Sequence, residues 1–502
     1  MAEPRAARVM REALAARFGG AMPGAVLAGE AHPGAGAPMQ LIDPATGGPL
    51  LEYALAGAAL AAEAARAAGQ AAPGWMALSG AERGRRLLAL AALIRAEAEA
   101  LALVECANTG KPIRDCRAEV ARVAEMAEHY AGLADKIEGR SLIAPSGHLV
   151  LVRPEPYGVV LAITPWNAPL FTAGWNAFPA LAAGNAVLLK PSEHTPATSL
   201  ILAELAARCG LPLFVVAGGA AEAEALTAAP AVEKLCFVGG PATGLRVAGL
   251  CAARGLPHIL ELGGKSANIV FADADFAAAV QGAQQAIFAS AGQSCVAGSR
   301  LLVEASLHDR FLAALGEAMR RIRLGDPFDA ATEMGPIATP RQYTHIRAMI
   351  AAAVGEGARV LTGEAPAEGL FVPPTLLTGL AGDAAAMREE IFGPVLATLP
   401  FEGETEAVRL ANATRFGLAG GVWTRDLGRA HRVAAALRAG TVWINGARTI
   451  HVSVPFGGFG ASGHGRSSGQ EAIAEYTRSK AVWVETREVP ALGFGHRPGQ
   501  GE

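Results

Sequence analysis

KLCFVGGPATGLRVAGLCAARGLPHILEL, residues 234–262, decides the fold. A short apolar run at 234–238 meets a Gly-rich turn at 239–244. A helical pattern covers 241–253, and a second apolar run closes at 258–262. Strand, helix and strand of this length form one parallel crossover unit. The alternation extends backward through VVLAI (159–163), NAVLLK (185–190) and LFVVA (213–217), with helical segments at 196–208 and 220–228. Near-continuous apolar strands separated by helices predict a parallel sheet covered on both faces. A second alternating unit begins at NIVF (268–271) and continues through RLLV (300–303), RVLTG (359–363) and GTVWIN (440–445). The fold class is α/β, and 502 residues predict two or three domains.

Upstream, the Gly- and Pro-rich stretch 20–50 reads as irregular or edge-strand structure. A helical pattern covers about 55–105 and is broken at TGKP (109–112). A further helix spans about 114–134. The Pro-punctuated segment 139–158, containing SLIAPSGHLVLVRPEPYG, predicts a hairpin projecting from the body. AVWVETREV, after Lys480, is a strand candidate with no helix following.

Composition narrows the function. Hydrophobic residues make up 51% and charged residues 18%, as in a well-cored globular protein. A net charge of −3 offers no basic face for nucleic acid. No apolar run reaches the ~18 uninterrupted residues that span a bilayer. The N-terminal MAEPRAARVMREALAARF holds Glu3 and Glu12 without an apolar core, so it reads as a short surface helix rather than a targeting peptide. The six Cys, at 106, 116, 209, 236, 251 and 295, form no C-x-x-C pair and are too sparse for a disulfide framework. That favours a reducing compartment and a cytoplasmic protein. The eleven His show no metal-ligand spacing, so no metal is expected.

Two short stretches carry candidate chemistry. ELGGK (261–265) ends an apolar strand, and GQSC (292–295) ends a helical run over 275–291. Glu261 is a candidate base and Cys295 a candidate nucleophile. A free thiol, with pKa about 8.5, is mostly protonated at neutral pH, so Cys295 needs an activating field or cofactor. Taken alone, a Cys in an Ala-rich region is usually packing, and a Glu after a strand is usually solvated. FVGGPATG (237–244) places backbone N–H groups and a helix N-terminus where a phosphate binds, or is an ordinary tight turn. GFGASG (458–463) matches a dinucleotide fingerprint but follows Pro455 rather than a parallel strand, and reads as a loop. KPSE (190–193) and PWN (165–167) follow strands at the end where open α/β sheets bind ligands. Lys190 and Glu193 suit ribose hydroxyls or are solvated charges; Asn167 suits an oxyanion or caps a turn. In EEIFGP (389–394), Glu390 and Phe392 suit a nicotinamide ribose, or are surface and core respectively.

In this order the stretches resemble the aldehyde dehydrogenase superfamily. The resemblance runs from Pro44 in DPATG to Lys480 in YTRSK. TGKP, PWN, LAAGNAVLLKPSE (181–193), FVGGPATG, ELGGK, GQSC, EEIFGP and PFGGFGASGHGR (455–466) carry it. It implies NAD(P)-dependent oxidation of a small-molecule aldehyde to the acid through a Cys295 thiohemiacetal and thioester. Cys295 is then the nucleophile and Glu261 the base for the hydrolytic water. Asn167 and the Cys295 N–H form the oxyanion hole. Trp166, Lys190, Glu193, Gly239, Gly240, Gly244, Leu262, Glu390 and Phe392 match cofactor-contacting positions. The cofactor expected is NAD, with NADP as the alternative.

The resemblance also implies an architecture. A Rossmann-like cofactor domain is expected over 1–134 and 157–262, and an α/β catalytic domain over 263–476. A small β bridging element, 135–156 and 477–502, is expected to assemble a homodimer or homotetramer. The aldehyde tunnel is expected from Ala168, Phe171, Thr172, Trp175, Phe288, Ala289 and the loop 446–454. Relatives acting on small aldehydes often carry aromatics at the positions of Ala168, Ala289 and Ile450, so this tunnel is expected to be wide. Arg448 and His451 are expected to hold a carboxylate on a bulky or acid-bearing aldehyde; the alternative has Arg448 facing solvent.

Three departures stand out. Leu211-Pro212 runs almost directly into LFVVAGG, which shortens the stretch before the adenine-side wall. Gly240 replaces a common Ser at the pyrophosphate. Ser467 replaces a Glu after Arg466, the position of a proton or water relay. Two rival readings remain: a CoA-acylating relative, which would lack Glu261, and a non-catalytic binding member.

Overall fold

The computed structural model describes residues 3–144 and 147–486. Two sheets organise them. The first has the strand order Glu30–His32, Ala25–Leu27, Leu213–Val216, Ala186–Lys190, Val159–Ile163, Val232–Val238, His258–Glu261, Gly463–His464. Its five central strands are parallel; the outer ones are antiparallel. The chain starts the parallel core at Val159–Ile163, winds outward through two strands, then returns to that strand's other side. The order therefore reverses between Val159–Ile163 and Val232–Val238, and the carboxyl ends of two strands splay apart there. All five residues of Val159–Ile163 and of Ala186–Lys190 are buried, as strands covered on both faces must be.

The second sheet has seven strands in the order Arg359–Thr362, Thr375–Thr378, Val395–Phe401, Arg300–Glu304, Ala267–Val270, Ala419–Trp423, Thr441–Ile444. It is parallel except at the edge strand Arg359–Thr362. A third sheet of three antiparallel strands joins Arg140–Ile143, Leu149–Pro156 and Thr477–Val484. The hairpin expected over 139–158 is present, and the tail strand pairs along its whole length. The part of the bridging expectation at 487–502 lies outside the described residues.

Two expectations need correction. The helical pattern over 55–105 is three helices, Gly57–Met76, Gly80–Ala96 and Ala98–Thr109. Ser79 ends the continuity by accepting from the Glu82 N–H at 3.2 Å, an N-cap that starts a new helix. An Ala-rich run gives no contrast from which such a break can be seen. The GFGASG loop also holds two short strands. Gly463–His464 pairs with His258–Glu261, setting Glu261 opposite Gly463. The segment after it returns to the first sheet, where Phe456, Ala472, Ile473 and Tyr476 join the core of Val160, Ala162 and Phe178.

Asn185 fastens this return. It is fully buried, accepts from the Gly158 N–H at 3.0 Å, and donates to the Ala180 and Tyr476 carbonyls at 3.1 and 2.9 Å. Asn185→Ala removes the side-chain partner of the Gly158 N–H and the Tyr476 carbonyl in the interior, while the Ala180 carbonyl keeps the Asn185 N–H at 3.0 Å. The expected loss is about 3 kcal/mol, read as a lower urea midpoint at unchanged slope. A midpoint equal to wild type would show that other contacts hold the tail.

Candidate active site

Three stretches distant in sequence meet here through backbone. After Glu261 the chain crosses from the first sheet to the second through Leu262, Gly263, Gly264 and Lys265. A Cβ on Gly264 would lie 2.4 Å from the Cys295 carbonyl oxygen, and one on Gly263 2.1 Å from the Glu390 carboxylate. Only residues without a Cβ permit that approach. The Gly264 N–H donates to Glu390 Oε1 at 3.0 Å. Buried Ser462 donates to the Gly263 carbonyl at 2.6 Å, and Arg300 Nε donates to the Lys265 carbonyl at 2.8 Å. ELGGK, GQSC and EEIFGP thus lock one another.

The Cys295 loop is set by a strained turn. The helix expected to reach 291 is Phe276–Phe288, because Ser290, Ala291 and Gly292 take φ of 55°, 51° and 69°. A left-handed Ser or Ala costs about 1 kcal/mol or more each. Gln293 offsets this cost. Its side chain accepts from the Ala338 N–H at 2.9 Å and donates to the Ser290 carbonyl at 3.3 Å. Its own carbonyl accepts from Asn167 Nδ2 at 2.9 Å. Asn167, which follows strand Val159–Ile163, is thereby tied to the loop that presents Cys295. Gln293 escaped the sequence reading, although it stands inside GQSC.

The site is short of water and of counter-charge. Cys295 is half-buried; burial pushes its thiol up to about 12, Glu261 and Glu390 add to this, and Arg448 opposes it. Glu261 is 6% exposed, and burial pushes its carboxyl up to about 8, against the pull of Trp175 and Arg466. Its Oε1 has no hydrogen-bond partner among the described residues, which marks a place for a water or reacting group. Beneath it, the Trp175 indole donates to Ser467 Oγ at 2.7 Å and stacks on Phe171 at 5.3 Å. Ser467 is therefore spent on orienting the indole. Lys265, quoted only as the end of a motif, is 1% exposed, and its Nζ has no partner. Burial, with help from Arg300, brings it down to about 7. Glu390 is pushed up by burial to about 7.

A cleft of about 850 Å³ opens where the first sheet's order reverses. Thr164, Trp166, Glu193, Gly240 and Thr243 line it, and helix Pro241–Arg254 points its N-terminus into it. Gly240 leads this helix with φ −70° and open space where a Cβ would stand. Gly244 leaves room for Leu262, whose Cδ2 would lie 2.4 Å from a Cβ there. Trp166 and Phe392 meet edge to face at 5.5 Å. Helix Ala220–Ala228 supplies the wall that the shortened 211–219 stretch left open, through Ala220, Ala223 and Thr227.

Two expected ligand donors are used internally. The Gly239 N–H donates to the Glu261 carbonyl at 3.0 Å. The buried Lys190 amine donates to the Pro191 carbonyl at 3.0 Å and to the Gly218 carbonyl. Arg448 is tied to the Cys295 loop on one side. It is half-buried, and its Nη1 donates to the Ala289 carbonyl at 2.8 Å. Ile450 packs on the first core, whereas Phe288 is buried in the second. His451 is exposed and engaged with Ser453 Oγ at 2.7 Å, so the fold does not bring it to Cys295. No cluster able to hold a metal occurs among the described residues.

Comparison with known proteins agrees with this geometry. The profile of the aldehyde dehydrogenase family matches residues 32–482. The (Z)-2-((N-methylformamido)methylene)-5-hydroxybutyrolactone dehydrogenase of Acinetobacter baylyi is 44% identical over 426 residues, covering 83% of this chain and 87% of the relative. The betaine aldehyde dehydrogenase of Bacillus subtilis is 41% identical over 432 residues, covering 84% and 88%. A crystal structure of betaine aldehyde dehydrogenase from Staphylococcus aureus in complex with NAD+ superposes with a TM-score of 0.93 at 35% identity. It covers 97% of this chain and 98% of that one.

The backbone contacts make one residue a sharp probe. A Cβ on Gly292 would fall 2.0 Å from the Gly393 carbonyl oxygen, at a φ that disfavours side chains. Gly292→Ala is expected to shift the Cys295 loop and lower turnover about a hundredfold, with circular dichroism unchanged. Full turnover in the variant would mean the loop tolerates displacement.

Proposed function

From the premise that this chain belongs to the aldehyde dehydrogenase family, we propose that Cys295, Glu261 and Asn167 perform its NAD-dependent oxidation of aldehydes to carboxylic acids. The observation that carries this assignment is one convergence. A thiol, a carboxylate with an unpartnered oxygen and a side-chain amide, from three elements, meet at the seam between the sheets.

The Cys295 thiol gives its proton to water, and the sulfur adds to the aldehyde carbon. Asn167 and the Cys295 N–H donate to the oxyanion that forms. NAD, when bound in the cleft of Trp166, Glu193 and Phe392, would supply the hydride acceptor. Collapse of the oxyanion expels hydride from the substrate carbon and leaves a thioester on Cys295. Glu261 takes a proton from water, which attacks the thioester and releases the acid. Dividing the oxidation in this way replaces one difficult step by two easier ones. The cleft fits NAD in volume, in its helix N-terminus and in the aromatic pair Trp166 and Phe392.

The third sheet supports a homodimer or homotetramer. Ile143 and Trp483 are 102% and 61% exposed, and Leu142 and Val484 lie beside them in the open. Apolar side chains on an open sheet call for a partner surface. All six Cys are free, which supports a reducing, cytoplasmic setting. Among the described residues, no helix is long and apolar enough to cross a membrane.

Two measurements test this reading. Glu261→Gln is expected to release about one equivalent of NADH per site in a burst, followed by a steady state at least about a hundredfold slower. In wild type the base must be ionised, and its pKa is raised to about 8. Deacylation therefore rises with pH up to and through about 8, and the variant loses that rise. Loss of the burst would assign Glu261 to thiol activation instead.

The second concerns the cofactor. Lys190 and Glu193 both stand on the cleft wall, but the Lys190 amine is held by the Pro191 and Gly218 carbonyls, which leaves the Glu193 carboxylate to oppose a 2′-phosphate. kcat/KM is expected to favour NAD over NADP by more than about tenfold. Gly240→Ser fits the open space and adds a hydroxyl at the helix start, so KM for NAD is expected to fall. A ratio favouring NADP rejects the Glu193 argument, and an unchanged KM rejects contact at 240.

A further inference from the structure

Arg448 lies on the loop after strand Thr441–Ile444 with φ 58°, a left-handed conformation that side chains disfavour. A guanidinium carries five N–H donors in a planar fork. Among the described residues its only hydrogen bond is the one from Nη1 to the Ala289 carbonyl. Through the Ala289 carbonyl, and by lining a small cavity together with Val296, the group stands beside the loop that carries Cys295. Asp115, Glu119 and Arg122 of helix Ile113–Leu133 act on Arg448 from farther away. The two acids have cations of their own. Glu119 pairs with Lys111, and Asp115 lies 3.5 Å from Arg114. The fork therefore lacks an anion within the protein.

We propose that Arg448 binds a carboxylate at the far end of the aldehyde. The preferred substrate is then a semialdehyde of a dicarboxylic acid, and an aldehyde ending in a cation is disfavoured. The inference rests on the dehydrogenase reading and deepens it. A carboxylate matches the planar fork with two parallel hydrogen bonds, which an alcohol or alkyl terminus cannot do. The bond to Ala289 fixes the fork in place before substrate arrives, so little ordering is left to binding.

The test compares glutaric semialdehyde, pentanal and the trimethylammonium analogue of pentanal as substrates. In wild type, kcat/KM for the semialdehyde is expected to exceed that for pentanal by roughly tenfold to a hundredfold, with the cationic aldehyde below both. Arg448→Gln keeps a donor for the Ala289 carbonyl and removes the charge. It should bring the ratio near one, mainly through KM, while Arg448→Lys retains part of the preference. A ratio near one in wild type, or a ratio preserved in Arg448→Gln, overturns the proposal. Equal losses on both aldehydes also overturn it, because they make Arg448 a prop for the turn at 289–292. A second reading needs no turnover. Glutarate should protect Cys295 from iodoacetamide more than valerate does, and Arg448→Gln should abolish the difference. Absence of NADH from every aldehyde with that protection intact would sink the dehydrogenase reading and leave the anchor standing.

Discussion

The structure depends on the contact of backbone with backbone at the crossover between its sheets. Gly264 lies against the Cys295 carbonyl, Gly263 against Glu390, and Gly292 against Gly393. At Gly264 and Gly292 the nearest atom is a main-chain oxygen and at Gly263 it is the Glu390 carboxylate, so relative positions there are set by van der Waals radii and by the hydrogen bonds of Glu390, Ser462, Arg300 and Gln293. Glu261 is the last residue of a strand in one sheet, and Cys295 precedes a strand of the other. Their geometry is therefore only as good as this joint. Rotamer freedom, which would blur a side-chain interface, contributes little to it.

Desolvation sets the charge states around the joint. Burial raises Glu261, Glu390 and Cys295 and lowers Lys265, so it favours the neutral form of each. Such a site gains more from an arriving ion than a solvated one does, because water no longer screens the interaction. The raised Glu261 suits a base that must both take a proton and give it up near neutrality. The buried Arg300 and the half-buried Arg448 remain cations beside groups held neutral.

Much of this was legible in the sequence. The five parallel strands of the first sheet, and Ala267–Val270 and Arg300–Glu304 of the second, were visible because they read as apolar runs; Thr375–Thr378, Val395–Phe401 and Ala419–Trp423 of the second sheet were not read from the sequence. The family motifs singled out Cys295, Glu261 and Asn167; periodicity alone gave them no roles. Other features left no mark. The three-way split of 55–105 hides in alanine, which is compatible with helix on either side of a break. The left-handed run at 290–292 holds Ser and Ala, residue types that do not announce that conformation. Whether Lys190 turns inward or His451 outward depends on which carbonyl or hydroxyl the fold places nearby. The pairing of Gly463 with Glu261 joins residues about two hundred positions apart, and nothing local encodes it.

The division between backbone and side chain at this site bears on how such a chain changes over evolutionary time. Its reaction centre is fixed by glycines and main-chain contacts, where nearly every substitution is penalised by the fold itself. The tunnel proposed for it is walled by the side chains at 168, 289, 448 and 450, where a replacement would alter a wall and leave the joint untouched. Descent with modification can therefore exchange one aldehyde for another in single steps, while the oxidation is inherited whole. Among proteins built on this joint, a shared reaction is a safer inheritance than a shared substrate.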